Sequence, residues 1–171
     1  MKILMFILSL SAFAGGTTSV ATQEVIDVGR YIGKWYVISS LPQRFTKGCV
    51  AQTADYEIMS KKKISVLNTC IKKNKVTTIN GEAVITNTET NAELVVRFYT
   101  WWARLFRIKG DYNIIKIDPN YEYVIVGGND RKSLWIMSRT TSMNEADYDD
   151  YVVFAKKKGF KVDKLVFSKF E

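Results

Sequence analysis

Gly33-Lys34-Trp35-Tyr36-Val37-Ile38-Ser39-Ser40-Leu41 is the stretch on which the fold turns. Asp118-Pro119-Asn120-Tyr121 follows about 85 residues later, and Arg139 about 20 residues after that. A strand sends alternate side chains to opposite faces, so the spacing puts Val37, Ser39 and Leu41 on the face of Trp35. Outward from this strand the chain reads as short segments with regular turn punctuation. Strands are predicted over 34–41, 49–58, 63–71, 76–86, 92–99, 111–118, 121–128 and 133–139. Asp118-Pro119-Asn120 sets one reversal, and Gly127-Gly128-Asn129-Asp130 supplies residues tolerant of positive φ for another. Such a rhythm belongs to an all-β barrel or sandwich. Eight strands joined mainly by hairpins leave two open edges unless the sheet closes on itself, and closure removes them.

One segment departs from the pattern. Ser142-Met143-Asn144-Glu145 predicts a capping-box start, with Ser142 as the cap and Glu145 reaching back. Tyr148, Tyr151, Val152 and Ala155 then recur at helical spacing. Acids stand early in this segment and Lys156–Lys158 late, which suits the helix dipole, and Gly159 can end it. A short strand near 165–168 is expected to follow.

Gly33 and Trp35, Asp118 and Tyr121, and Arg139 resemble, in that order, the signature of the lipocalin family. Gly110-Asp111-Tyr112-Asn113 and Leu134-Trp135-Ile136-Met137-Ser138-Arg139 are similar to later strands of its bacterial lipocalin and apolipoprotein D group. The resemblance spans residues 26–168. It implies a closed eight-stranded antiparallel up-and-down barrel with one C-terminal helix packed outside, and a cup that holds one small ligand. It also implies that the motif residues are structural, with Arg139 lying over Trp35 at the sealed end. A cation–π contact of that kind is worth about 0.5–2 kcal/mol.

At 171 residues the chain is one domain with length enough for a sizeable core. Lys2, the apolar run Ile3 to Leu10 and Ala12-Phe13-Ala14 read as a signal peptide over 1–14, with Ser19-Val20-Ala21 as a later cleavage alternative. The domain itself is expected over 23–171. The apolar run is too short to span a bilayer. No cysteine follows it until Cys49, so the lipid anchor that many bacterial members carry is not expected, and the protein is read as periplasmic or secreted. Loss of residues 1–14 lowers the net charge from +8 to +7. The lysine clusters 61–63, 72–75 and 156–158 are spread over turns and one helix end, unlike the single basic surface of a nucleic-acid reader. An anionic membrane surface is the remaining partner that this charge suits.

Cys49 and Cys70 are the only cysteines. A hairpin centred near Ser60 places them opposite each other, at a separation that a disulfide tolerates. With no histidine in the chain, two thiolates do not complete a metal site, and a thiol nucleophile lacks its usual base. No cofactor is called for.

Alternation directs Val37, Ser39 and Leu41, then Gly81, Ala83 and Ile85, then Leu94, Val96 and Phe98 inward, with Tyr56, Tyr112 and Ile114 as additions. Small residues at 81 and 83 are expected to widen the cavity. The mouth is assigned to loops 42–48 and 100–110, which carry Pro42, Arg44, Phe45 and Lys47, then Trp101, Trp102, Arg104, Phe106 and Arg107. Aromatic and cationic groups around an apolar cup suit a ligand with a long apolar body and an anionic head, such as a fatty acid or lysophospholipid. Expected ligand contacts are Val37, Leu41, Arg44, Phe45, Tyr56, Leu94, Val96, Phe98, Trp101, Trp102 and Tyr112. The function that follows is storage or transport of such a lipid, for upkeep of the cell envelope, by a monomer or homodimer. An enzyme on the same scaffold and a membrane- or partner-docking module with a filled interior are the alternatives. Trp101 and Trp102 would serve the second as a docking tip.

Overall fold

The computed structural model describes residues 19–22, 24–100 and 109–170. The expected signal peptide, and Trp101, Trp102, Arg104, Phe106 and Arg107 of the second mouth loop, lie outside the described residues. Eight strands form the barrel: β1 (Gly33–Ser40), β2 (Ala51–Ser60), β3 (Lys63–Lys72), β4 (Lys75–Ile85), β5 (Glu93–Phe98), β6 (Lys109–Ile117), β7 (Tyr123–Gly127) and β8 (Leu134–Ser138). Each pairs antiparallel with the next. β1 then joins β8 on one side and β2 on the other, so the sheet closes. A short β9 (Val166–Phe167) adds to β1. The strand assignments agree with the sequence reading to within about two residues, the margin expected of element ends.

Closure is uneven, and that asymmetry makes a cup. β1 pairs with β2 only through Gly33–Tyr36, and farther along Ser39 and Ser40 pair with β9 instead. The barrel is therefore sealed at the Gly33 end, and β1 and β2 part toward the other. There Arg44–Thr46 makes a single 3-10 turn, and the disulfide Cys49–Cys70 ties the loop to β3 with a Cα–Cα distance of 5.3 Å.

The bridge forms, although its placement differs from a directly opposed strand pair. The turn of the β2–β3 hairpin falls at Lys61-Lys62, so Cys70 faces Gln52. Cys49 lies ahead of β2 in the loop. The neighbouring Val50 amide donates to the Ile71 carbonyl and brings Cys49 alongside.

A bulge in β1 between Val37 and Ser39 also changes the inward set. Val37 pairs with Met137, but Ser39 pairs with Ile136, so one residue is extra and the alternation reverses. Ser39 and Leu41 thus face outward, beneath the helix, which corrects the expectation that both line the cup. Ser39 accepts a hydrogen bond there from the Tyr148 hydroxyl. Leu41 joins Ile115, Ile125, Leu134 and Ile136 in a second core.

That core seats the helix α2 (Glu145–Lys157) through Tyr151 and Ala155, with Phe160 beyond it. Full burial of each large apolar side chain is worth about 1.5–3 kcal/mol, which holds a helix of weak amphipathicity in place. The Ser142 cap is also corrected. Asn144 caps α2, its side chain accepting from the Ala146 amide. The Ser142 carbonyl is occupied by the Ser138 and Thr140 hydroxyls, so the chain turns helical two residues later. Gly159 ends the helix as expected.

Two other local expectations change. The left-handed residue of the 127–134 turn is Arg131, φ 58°, and neither Gly127 nor Gly128. At Gly81 the glycine is required by close approach: a Cβ there would stand 2.4 Å from the Arg97 carbonyl oxygen, and Gly81 does not border the cup. At the N-terminus the packed body begins before residue 23. Val20 and Ala21 are buried, and the Thr22 amide donates to the Ile114 carbonyl.

Candidate functional site: a cup with a polar floor

The sealed end is built by the signature residues. Gly33 adopts φ 93°, in the left-handed region where a side chain is strained, and this turn drops Trp35 into the barrel with no exposed surface. Arg139, leaving β8, lies 3.8 Å above the Trp35 ring. Its guanidinium also donates to the carbonyls of Tyr121, Lys34, Arg30 and Tyr31. The Tyr31 carbonyl accepts from the Trp35 indole as well, at 2.8 Å. Asp118 shapes its turn by accepting from the amides of Asn120, Glu122 and Tyr123. The turn leaves Tyr121 at φ 61°, where its hydroxyl accepts from the Asp27 amide and its ring lies under Arg30.

Sequence reasoning missed the element that these contacts hold, the one-turn helix α1 (Val28–Tyr31). Asp27 caps it by accepting from the Gly29 and Arg30 amides. One turn is too short to show periodicity, so the cap was its only signal. α1 carries Tyr31 into the floor, and Tyr31 in turn reaches two residues that were expected inside.

Above the floor lies a cavity of about 810 Å³, within the size range of small-molecule sites. Of the expected contacts, Val37, Arg44, Phe45, Tyr56, Val96, Phe98 and Tyr112 line it. Leu94 and Ile114 are buried in the same core but do not reach the cavity, and Leu41 lies outside the barrel. The sequence reading overlooked Val66, Asn68, Ile79, Trp135 and Met137, which also line it. Alternation back from Arg139 along β8 selects Met137 and Trp135, and that signal was available. Gln43, Arg44 and Phe45 stand where β1 and β2 part, Lys109 at the start of β6 also borders the cavity, and Asp111 is the one acid among the lining residues.

The floor itself is polar. The Tyr112 hydroxyl lies 2.5 Å from that of Tyr31 and 2.8 Å from that of Tyr56. Burial pushes the Tyr56 phenol up to about 12 and raises those of Tyr31 and Tyr112 well above 10, so all three are neutral at physiological pH. No described cysteine is free, and no group of three metal-ligating side chains occurs among the described residues.

Comparison with known proteins agrees with this architecture. Residues 26–169 match the family model described as a lipocalin-like domain. A protein of Acanthamoeba polyphaga mimivirus named as a lipocalin is 37% identical over 155 residues, covering 86% of both chains. The outer membrane lipoprotein Blc of Escherichia coli K12 is 31% identical over 142 residues, covering 82% of this chain and 77% of its own. Among solved structures, insecticyanin from the tobacco hornworm Manduca sexta superposes with a TM-score of 0.68 at 17% identity, covering 90% of this chain and 86% of the other.

Proposed function

The chain belongs to the lipocalin-like family, and from that membership we propose that it is an exported carrier that holds one amphipathic lipid in its cup. The observation that carries this reading is the cavity of about 810 Å³, walled by apolar side chains and bordered by Arg44 and Lys109. A fatty acid or lysophospholipid places its chain along Val37, Val66, Val96, Phe98 and Trp135 and its anionic head near those cations. Each methylene taken from water contributes up to ~0.8 kcal/mol, so the chain supplies most of the affinity. A charged hydrogen bond at the rim adds about 1.5–3 kcal/mol and sets the orientation.

Export rests on the Lys2 to Ala14 pattern. The burial of Val20 and Ala21 favours cleavage after Ala14, because a cut after Ala21 would strip two packed side chains from the body.

Titration with a fluorescent fatty acid, read by tryptophan quenching, tests the proposal. Ala54 lines the cavity beside Trp35, and Ala54→Phe should weaken binding at least about tenfold in the folded variant. Saturable binding of equal strength in that variant would place the ligand elsewhere, and no binding across lipids of varied head group would refute the carrier role.

A second reading, docking on an anionic membrane, is favoured by a specific surface. Val50, Val166 and Phe167 are exposed and border one groove together with Arg44 and Lys47. Co-sedimentation with vesicles rich in anionic lipid, absent with neutral vesicles, is the expected result.

A further inference from the structure

The apolar lining of the cup is interrupted on one side. On β1, β5 and β8 the side chains that reach it are Val37, Val96, Phe98, Trp135 and Met137. On β2, β3 and β4 three uncharged polar residues border it among apolar ones: Gln52, Asn68 and Thr77. Alternation accounts for their direction. They fall at two-residue steps from Ala54 and Tyr56, from Val66, and from Ala83 and Ile85, all members of the barrel core. The side chains of Asn68 and Thr77 hydrogen-bond to nothing among the described residues. Gln52 makes one long contact, its amide donating to the Ser40 hydroxyl at 3.5 Å.

Strand register shows why the three do not satisfy one another. Gln52 and Thr77 both pair with Cys70, whereas Asn68 is the next inward position of β3 and pairs with Ala54 and Ile79. Asn68 is therefore diagonal to both polar neighbours, at a Cα separation of about 7–8 Å. Cys70 stands between them with its sulfur tied to Cys49, so it has no thiol proton to offer. A guest group placed among the three can touch more than one of them. Their height is fixed as well. Val66 pairs with Tyr56 of the floor, so Asn68 lies one inward step, about 7 Å, above it, and the disulfide row lies one step higher.

We propose that Asn68, flanked by Gln52 and Thr77, is a specificity site that selects lipids bearing a neutral hydrogen-bonding group, a hydroxyl or amide, part-way along the chain. The proposal rests on the carrier reading above and adds the position of a polar group to it. A bare alkyl segment laid on Asn68 takes water from an amide and returns no hydrogen bond, at a cost of about 1–3 kcal/mol. A hydroxyl or amide at that height restores the bond, since the Asn68 side chain both donates and accepts. A site built this way discriminates against the analogue that lacks the group. None of the three side chains carries charge, so the anionic head stays with Arg44 and Lys109.

Displacement of a bound fluorescent fatty acid by a positional series tests this: saturated acids of one length, each with a single hydroxyl at a successive carbon, and the unsubstituted acid as reference. The affinity profile should peak at one position or two adjacent ones, about threefold to tenfold tighter than the unsubstituted acid. Asn68→Leu and Asn68→Ala should flatten that profile, read within each folded variant as the ratio of hydroxylated to plain acid, and Thr77→Val should lower the peak. A flat profile in the wild type would overturn the inference whether or not the variants fold, and would leave the carrier reading standing. A peak of undiminished height in a folded Asn68 variant would overturn it as well. No displacement by any of the acids would overturn both.

Discussion

Replacing Arg139 by lysine separates the geometry of the sealed end from its charge. The guanidinium fork spans four carbonyls, of Tyr121, Lys34, Arg30 and Tyr31, at 2.7–3.2 Å while it covers Trp35. An ammonium keeps the positive charge near the indole but cannot reach four acceptors set around a plane. Hydrogen bonds to a charged group contribute about 1.5–3 kcal/mol each, which puts an upper bound of ~6–12 kcal/mol on the set. Much of that is not lost. The contacts to Lys34 and Arg30 border solvent, where water replaces the donor, and the Tyr31 carbonyl keeps the Trp35 indole N–H. Lysine also restores one bond. The net expectation for Arg139→Lys is a loss of about 2–4 kcal/mol. For a domain of this size that corresponds to a fall in melting temperature of about 5–15 °C. Arg139→Leu should cost a further ~0.5–2 kcal/mol, the cation–π contribution. Equilibrium urea denaturation followed by tryptophan fluorescence measures both, with calorimetry as the second probe. Lipid affinity should persist in the folded lysine variant, because the substitution lies outside the cup. Stability within about 0.5 kcal/mol of wild type in the lysine variant would show that the carbonyl clamp contributes nothing and that the sealed end rests on packing alone.

Two further outcomes follow from other parts of the structure. Cys49 and Cys70 are 21 positions apart, and the chain-entropy model gives a bridge closing such a loop about 3 kcal/mol. Cys49→Ala/Cys70→Ala should therefore lower the urea midpoint by that equivalent, and an unchanged midpoint would refute the role of the bridge in stability. The Tyr56 phenol is held at about 12 against 10 in an unfolded chain, chiefly because burial disfavours its anion. A group whose folded-state pKa is raised contributes stability that is complete below pH 10 and lost as pH rises toward 12. The loss attributable to Tyr56 is ~2 kcal/mol by pH 12. Urea titrations at successive pH values should show this decline, steeper than in Tyr56→Phe; parallel curves for the two proteins would refute it.

Much of the barrel was legible because its cause is local. Alternation places Ala83 and Ile85 of β4 and Leu94 and Val96 of β5 in the barrel core, and turn residues such as Asp118-Pro119-Asn120 mark the reversals. The signature residues pointed to the floor, and Arg139 does lie over Trp35. The cup was less legible. The bulge in β1 that turns Ser39 and Leu41 outward depends on how β1 registers against β8, and nothing in residues 37–41 announces it. The same holds for the tyrosine cluster. Tyr56 and Tyr112 were assigned inward singly, whereas their junction with Tyr31 requires three elements far apart in the chain to meet.

The amino-acid sequence by itself determined the strand count and the outer helix, since periodicity and turn chemistry act between near neighbours, and the sealed end was implied by the lipocalin resemblance. Only the tertiary structure decided which side chains border the cavity, how the disulfide is reached and that the floor is polar. Those features follow from barrel closure and strand register, which bring together residues that share no local pattern.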